Sequence, residues 1–249
     1  MIKEIKSKDN KLIKYALKLQ NNSFSKEEKK FLIEGNHLVE MSKDYIETIF
    51  CLPSFKNKHL YNNVYEIDEM LMKKISQNNS FTEVVGICRY KKTNEVTSSR
   101  VLYLDDVQDP GNVGTILRTA LAFGFNDVIL SSGCAFKYAF KTIQASQGSI
   151  FKLNTINGDK NLLFSLQDKG YKLVSTSLDV NSVYLSKIDF KKDTNYVIIL
   201  GNEGKGISKD IQDKSDLKIK IEIQDIESLN VGVAAGIIMY QASSLKWKD

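Results

Sequence analysis

Arginine is nearly missing from this chain: of its 35 basic residues only Arg89, Arg100 and Arg118 are arginines, and the other 32 are lysines. Lysine is therefore the default cation, and an arginine marks a position where a planar, bidentate guanidinium has a use that a point charge lacks. Proline is confined to Pro53 and Pro110, histidine to His37 and His59, and cysteine to Cys51, Cys88 and Cys134. The three cysteines stand far apart and match no metal-ligand or redox spacing, which argues against zinc and against a disulfide framework and leaves structural thiols. Both histidines fall in the first third of the chain, so Ser-His-Asp chemistry is not expected in the glycine-rich part that follows. No stretch approaches the ~18 consecutive apolar residues of a membrane helix, and the lysine-rich start MIKEIKSKDN lacks the apolar core of a signal peptide. The expectation is a cytoplasmic, soluble protein.

What is present is 249 residues, 42% apolar and 26% charged, enough for two modest domains with real cores. The first 98 residues carry 17 basic and 13 acidic groups, the remainder 18 and 17. Glycine runs the other way: Gly35 and Gly86 precede residue 99 and the other twelve follow it, so loops that bring backbone close to a ligand should concentrate there. The polar, aperiodic stretch 91–100 (KKTNEVTSSR) reads as a linker between a domain over 1–95 and another over 100–249. The first domain reads as small α/β, with an amphipathic helix near 10–20, a strand FLIEG, a helix to about Ser42, and strands in YIETIFCL, NVYEI and EVVGICRY. Its excess of lysine either steers it to an anionic polymer or is only a solvated face.

In the second part the apolar runs VLYLDDV, DVILSS, FKLNT, YKLVSTSL, NYVIILG and LKIKIEI alternate with helical patterns near 112–124, 138–148, 160–169 and 228–246. That alternation predicts an α/β fold with a mostly parallel sheet covered by helices on both faces. Ligands on such sheets bind beyond the carboxyl ends of the strands, so the loops after the runs carry the chemistry.

Three loops stand out. After the first run, DDVQDPGNVGT places a turn at Pro110 and Gly111 and a helix from about Gly114, with Val113, Leu117, Ala120, Leu121 and Gly124 on its buried stripe and Arg118 on the opposite face beside Thr115 and Ala122. An arginine there, near the Asn112 amide, either clamps a phosphate or makes an ordinary surface ion pair. After the fifth run, GNEGKGIS (201–208) has three glycines in six residues; their order is wrong for a dinucleotide fingerprint, and Lys205 is followed by Gly206 where a P-loop needs Ser or Thr. The segment reads as a ligand cradle or a flexible hairpin. After the sixth run comes QDIESLNVGVAAG (224–236), in which Ser228 is a candidate helix N-cap and Gly232, Ala234, Ala235 and Gly236 allow another backbone to pack closely. Together these loops offer backbone amides with Asn112, Arg118, Glu203, Ser228 and Asn230, a set suited to positioning and charge stabilisation rather than metal or nucleophilic catalysis.

In order and spacing, DPGNVGTILRTALAFG, ILGNEGKGIS and ESLNVGVAAGIIMYQ resemble the three motifs of the SpoU (TrmH-type) branch of the SPOUT RNA methyltransferases, and FLIEGNHLVE resembles the opening of the substrate-binding domain of that family's ribosomal-RNA members. The resemblance implies methyl transfer from S-adenosylmethionine to a ribose 2′-hydroxyl, most naturally in large-subunit ribosomal RNA, by a homodimer with a C-terminal trefoil knot and no metal. It implies catalytic roles for Arg118, Asn112, Glu203, Ser228 and Asn230, and cofactor contacts at Thr176, Gly201, Ile221 and Leu229. An arginine is a poor general base at neutral pH, so its expected work is to grip an RNA phosphate and ease ionisation of the hydroxyl. The chain departs from the family pattern at Ile221-Glu222-Ile223 before the third motif, at Gly232 within it, and at Gln144 in KTIQASQGS, where the family carries an arginine on a segment expected to face RNA. Transfer RNA as substrate, and a non-catalytic RNA-binding factor of the same fold, are the competing readings.

Overall fold

A computed structural model describes residues 2–177 and 179–243. In chain order the first part carries β1 (Lys3–Glu4), α1 (Lys11–Leu19), α2 (Asn22–Glu28), β2 (Lys30–Glu34), α3 (Asn36–Met41), β3 (Ile46–Cys51), β4 (Val64–Glu66), α4 (Glu69–Ile75) and β5 (Val84–Arg89). Then follow β6 (Arg100–Asp105), α5 (Pro110–Ala122), β7 (Asp127–Leu130), α6 (Phe140–Ser146), β8 (Asn154–Asn157), α7 (Lys160–Asp168), β9 (Lys172–Thr176), β10 (Val183–Tyr184), β11 (Tyr196–Gly201), α8 (Lys209–Lys214), β12 (Leu217–Lys220) and α9 (Val231–Ala242). The chain divides into two compact units, one of residues 1–92 with 138–151 and one of 93–137 with 152–249. No helix among the described residues is long and apolar enough to cross a membrane.

The first unit is a five-stranded mixed sheet in the order β1-β4-β3-β5-β2. Its helices begin where the sequence supplies caps: the side chains of Asn10, Asn21 and Asp68 accept amide hydrogen bonds at the starts of α1, α2 and α4. Ile13, Ala16 and Leu19 of α1 and Leu71, Met72 and Ile75 of α4 bury against Leu32, Phe50, Val85 and Ile87 of the sheet. Fully burying each of the larger aliphatic side chains contributes roughly 1.5–3 kcal/mol. Segment 138–151 joins this unit through aromatic stacking, with Tyr138 centred 4.5 Å from Phe31 and 4.1 Å from Tyr90, and Phe151 5.6 Å from Tyr45. Gln147 there adopts a left-handed backbone (φ 48°) and its carbonyl lies 3.2 Å from the His37 ring. Gln144 is half-buried, and its amide nitrogen has no hydrogen-bond partner among the described residues.

The second unit is a seven-stranded sheet, all parallel, in the order β10-β12-β9-β11-β6-β7-β8. The chain steps outward from β6 to β8, returns to β9 on the far side of β6, and later inserts β11 between them. The reversal of direction puts a crevice beyond the carboxyl ends of β6, β11 and β9. One face buries Val101, Tyr103, Ile129, Leu173, Val197 and Ile199 against Leu163 and Leu166 of α7 and Ile211 of α8. On α5 the expected faces hold in the main: Val113, Leu117 and Ala120 are buried and Thr115, Arg118 and Ala122 exposed, whereas Leu121 is only half-buried and Gly124, also half-buried, lies past the helix end.

Three local expectations are corrected. α5 begins at Pro110, not Gly114, because Asp109 accepts the Asn112 amide at 2.8 Å and proline's fixed φ and missing N–H suit a first helical residue, so Pro110 and Gly111 belong to the helix. The start of FKLNT is spent on a 3-10 turn, Ser149–Phe151, and the strand runs Asn154–Asn157. α9 is capped by Asn230, not Ser228: its side-chain oxygen accepts the Gly232 and Val233 amides at 2.9 and 3.3 Å. The helix expected to reach residue 246 instead stops at Ala242, where Ser243 turns extended (φ −66°, ψ 135°); residues 244–249 lie outside the described residues.

Arg100, unassigned by sequence, is a buried tie. From the first residue of β6 its Nε donates to the Ala242 carbonyl at the end of α9 (3.0 Å), while Nη1 reaches Ser99 and Thr194 carbonyls (3.1 and 2.5 Å) and Nη2 reaches Lys191 (2.8 Å). Its guanidinium carbon lies 4.7 Å from the centre of the Tyr196 ring. A forked donor on four carbonyls from three segments is something lysine cannot reproduce. The same carbonyl end of α9 is where a cation is favoured by the helix dipole.

Candidate functional site

The site is built at the crevice edge of the second unit, where three loops meet. Glu203, the second residue after β11, takes three hydrogen bonds from the loop after β6 and the first turn of α5: from the Gln108 and Asp109 backbone amides at 3.2 Å each and from the Asn112 side-chain amide at 3.0 Å. The Asn112 side-chain oxygen in turn accepts from the Asn230 side-chain nitrogen at 2.9 Å. Asn230 thus serves twice, its oxygen capping α9 and its nitrogen holding Asn112. The chain of bonds Asn230 to Asn112 to Glu203 fixes the orientation of the Asn112 amide, which is otherwise ambiguous for such a group.

Partial burial pushes the Glu203 carboxyl up, but the hydrogen bonds from Asn112, Gln108 and Asp109 outweigh it and the net displacement is below its ordinary value. Glu203 is therefore an anion at neutral pH, acting as a fixed acceptor and not as a base poised to take a proton near pH 7. Arg118 projects from the exposed face of α5, six residues and about 9 Å along the axis from Asn112. It makes no hydrogen bond or ion pair among the described residues. Ser228 is exposed on the approach to α9 and likewise has no hydrogen-bond partner among the described residues. The structure thus joins Asn112, Glu203 and Asn230 directly and leaves Arg118 and Ser228 unbonded.

The four residues expected to meet the cofactor lie along the same side. Thr176 ends β9, Gly201 ends β11 and Ile221 follows the last residue of β12, three adjacent strands; Leu229 immediately precedes Asn230. Thr176 donates its hydroxyl to the Ile199 carbonyl at 3.3 Å. Gly201 has to be glycine: a Cβ would lie 2.4 Å from the Gly206 carbonyl carbon and 2.5 Å from the Ile207 nitrogen, because the turn folds back onto it through paired Asn202 and Gly206 backbone bonds of 3.0 and 2.9 Å.

Two organising residues escaped sequence reasoning. Asn202 donates to the Asp106 carbonyl at 2.8 Å and accepts the Gly204 and Lys205 amides at 2.9 Å each, so it shapes the turn and ties it to the loop after β6. Asn before Glu-Gly is a signal for such an Asx turn. Asp105, buried at the end of β6, accepts the Ser208 amide at 2.7 Å. α5 and α9 then close together: a Cβ on Gly232 would lie 3.4 Å from the Thr115 methyl, and one on Gly236 3.7 Å from that of Thr119.

Comparison with known proteins identifies the family. Residues 99–240 match the SpoU rRNA Methylase family and residues 10–86 match the MRM3-like substrate binding domain. The 23S rRNA (guanosine(2553)-2′-O)-methyltransferase RlmP of Bacillus subtilis is 30% identical over 249 aligned positions, covering 96% of this chain and 98% of that protein. An uncharacterized tRNA/rRNA methyltransferase of Synechocystis is 28% identical over 99% of this chain and 95% of its own length. The crystal structure of an rRNA methyltransferase from Sinorhizobium meliloti superposes with a TM-score of 0.87 at 26% identity, covering 97% of each chain, and the AdoMet-bound form of that enzyme gives the same values. With its seven-stranded parallel sheet, its three meeting loops and a family match spanning more than half its length, this chain belongs to the SpoU rRNA methylase family.

Proposed function

We propose that this protein transfers a methyl group from S-adenosylmethionine to a ribose 2′-hydroxyl of ribosomal RNA, in the large subunit. The observation that carries the reading is the bonded chain Asn230 to Asn112 to Glu203 at the strand-end crevice, with the Arg118 guanidinium, unpaired among the described residues, on the neighbouring helix face. Near full-length similarity to a 23S rRNA 2′-O-methyltransferase supports the substrate.

The proposed cofactor contacts fit that molecule chemically. Ile221 and Leu229 are half-buried apolar side chains suited to a purine ring, and the backbone at Thr176 and Gly201 supplies hydrogen-bonding groups where the strands end. None of the four is a lysine or arginine that would oppose a cationic ligand. When bound, S-adenosylmethionine supplies an activated methyl group on a sulfonium centre. The protein's own work is then to position the ribose and manage its proton. Arg118 grips the phosphate beside the target nucleotide and stabilises charge developing on the 2′-oxygen; Asn112 and Asn230, held rigid by Glu203, orient that sugar; Ser228 adds a hydroxyl at the rim.

The remaining parts of the reading follow from the same resemblance. Residues 1–95 recruit RNA and 100–249 carry the chemistry, with the substrate-binding match over 10–86 in support. A homodimer forms on α9, where Val233, Ile237 and Tyr240 recur at helical spacing and stay 54%, 40% and 61% exposed. The C-terminal segment forms a trefoil knot, and the protein works in the cytoplasm without a metal.

The test is methyl transfer from labelled S-adenosylmethionine to ribosomal and transfer RNA by wild type and Arg118→Ala. The reading expects transfer to ribosomal RNA and a fall in kcat/KM of roughly 10²–10³ in the variant, the scale seen when one positioned charge-stabilising donor is removed. Arg118→Lys should not restore it, because an ammonium lacks the fork. RNA affinity without any transfer would instead favour a non-catalytic factor.

A further inference from the structure

Beyond the crevice, the outer edge of the second unit's sheet holds a feature the reaction does not use. β10 is a two-residue strand, paired in parallel with β12 so that Tyr184 lies opposite Lys220. The Tyr184 ring is 43% exposed, and its hydroxyl has no partner among the described residues. Two ammonium groups lie over that ring, Lys220 Nζ at 4.9 Å and Lys187 Nζ at 5.6 Å from its centre. Neither lysine is in an ion pair among the described residues; Lys220 has only a 3.5 Å contact to the Val180 carbonyl. The local acid, Glu222, is occupied by the hydroxyl and amide of Ser186, which anchors the turn after β10 to the chain leaving β12.

A half-exposed ring whose contacts are two surface ammonium groups adds only modestly to the fold. Its position does matter. Tyr184 and Lys220 sit at the carboxyl ends of their strands, on the same edge of the sheet as Thr176, Gly201 and Asp105. With strands about 4.8 Å apart, β10 stands four spacings, or roughly 19 Å, from β6. A nucleic-acid strand whose ribose enters the crevice at β6 and β11 and runs along this edge passes Tyr184.

We propose that Tyr184, with Lys187 and Lys220, is a stacking platform for an unpaired RNA base a few nucleotides along the strand from the methylated one. This rests on the RNA-methyltransferase reading above and names how that RNA is held. A base stacked on tyrosine outweighs an exposed ammonium contact on the same ring, so an arriving base displaces a lysine from the ring face. The freed ammonium then has the adjacent backbone phosphate as its counter-charge. The platform tolerates any base because every base has a π-face, so it supplies affinity and register and leaves sequence choice to other contacts.

The experiment is RNA binding and methyl transfer measured side by side on the full-length protein, with ribosomal RNA fragments and with S-adenosylmethionine affinity determined by calorimetry. Tyr184→Ala should weaken RNA binding about tenfold and raise KM for RNA by the same factor, with kcat and S-adenosylmethionine affinity unchanged, whereas Tyr184→Phe and Tyr184→Trp should bind as wild type. The double variant Lys187→Gln, Lys220→Gln should lower the slope of log affinity against log salt by roughly 1.4, the expectation for two lost contacts to single-stranded phosphates. Unchanged RNA affinity in Tyr184→Ala, or an equal loss of S-adenosylmethionine affinity, overturns the platform. A wild type that methylates RNA while Tyr184→Ala binds normally removes the platform and leaves the enzyme reading standing. Tyr184-dependent RNA binding without methyl transfer does the reverse.

Discussion

Replacing Arg100 with alanine tests whether one buried guanidinium ties the end of α9 to the sheet. The side chain is 1% exposed and serves four carbonyls. The Ala242 bond is buried, and leaving that carbonyl unsatisfied costs about 1–3 kcal/mol. The bonds to Ser99, Thr194 and Lys191 are only part-buried, so water replaces the donor there and each loss costs about 0.5–1.5 kcal/mol. Releasing the guanidinium from a desolvated position, where burial already lowers its pKa, returns part of this. The balance is a destabilisation of about 4 kcal/mol for Arg100→Ala, which at about 2–4 °C per kcal/mol for a chain this size lowers the melting temperature by roughly 8–16 °C. Arg100→Lys keeps the charge but can satisfy only one or two of the carbonyls, and should fall near halfway. Urea unfolding followed by circular dichroism measures both. A loss of less than about 1 kcal/mol in Arg100→Ala, or full rescue by lysine, would refute the idea that the forked geometry matters.

Two other outcomes follow from groups the structure couples. Asn112→Asp sets a second carboxylate against Glu203 and removes the donor that holds it, so kcat should fall roughly 10²-fold with little change in melting temperature, checked by single-turnover methyl transfer beside a thermal melt. Lys137 is buried, donates to the Thr155 carbonyl at 2.5 Å, and has its pKa pushed down to about 8 by loss of water. The unfolded chain, at the ordinary value of 10.5, binds this proton more tightly, so between about pH 8 and 10.5 the wild type gains stability relative to Lys137→Met as pH rises. Below pH 8 the stability difference between the two should be flat. Urea titrations of both proteins across pH 6–11 measure this, and a pH-independent difference throughout would contradict it.

Much of the second unit can be read from sequence because parallel strands buried on both faces appear as continuous apolar runs, and five of the six runs became strands nearly in place. FKLNT misled because its apolar half, Phe151 and Leu153, packs into the core from a turn, where burial is needed but strand pairing is not. β10 was missed since two edge residues have no periodicity. The two helix starts show how local chemistry competes: Asp109-Pro110 was a stronger start than Gly114, and Asn230 was better placed than Ser228 because its amide can cap α9 and reach Asn112 together. The packing of Tyr138 and Phe151 with Phe31, Tyr90 and Tyr45 is a tertiary choice that no local pattern carries. Within the candidate site the bonded side chains Asn112, Glu203 and Asn230 were legible from motif spacing. Asn202 carries a local Asx-turn signal, but its tie to the Asp106 carbonyl, like the Asp105 bond to Ser208, reaches a backbone group some hundred residues away and leaves no local pattern.

The central claim is most directly tested by incubating the wild-type protein with S-adenosylmethionine carrying an isotopically labelled methyl group and large-subunit ribosomal RNA, then digesting the RNA to nucleosides for mass spectrometry. The account predicts label on one nucleoside, located on its ribose 2′-oxygen, and its loss with Arg118→Ala. Label on a base, or no label in any ribosomal or transfer RNA offered to a protein that binds S-adenosylmethionine, would contradict it.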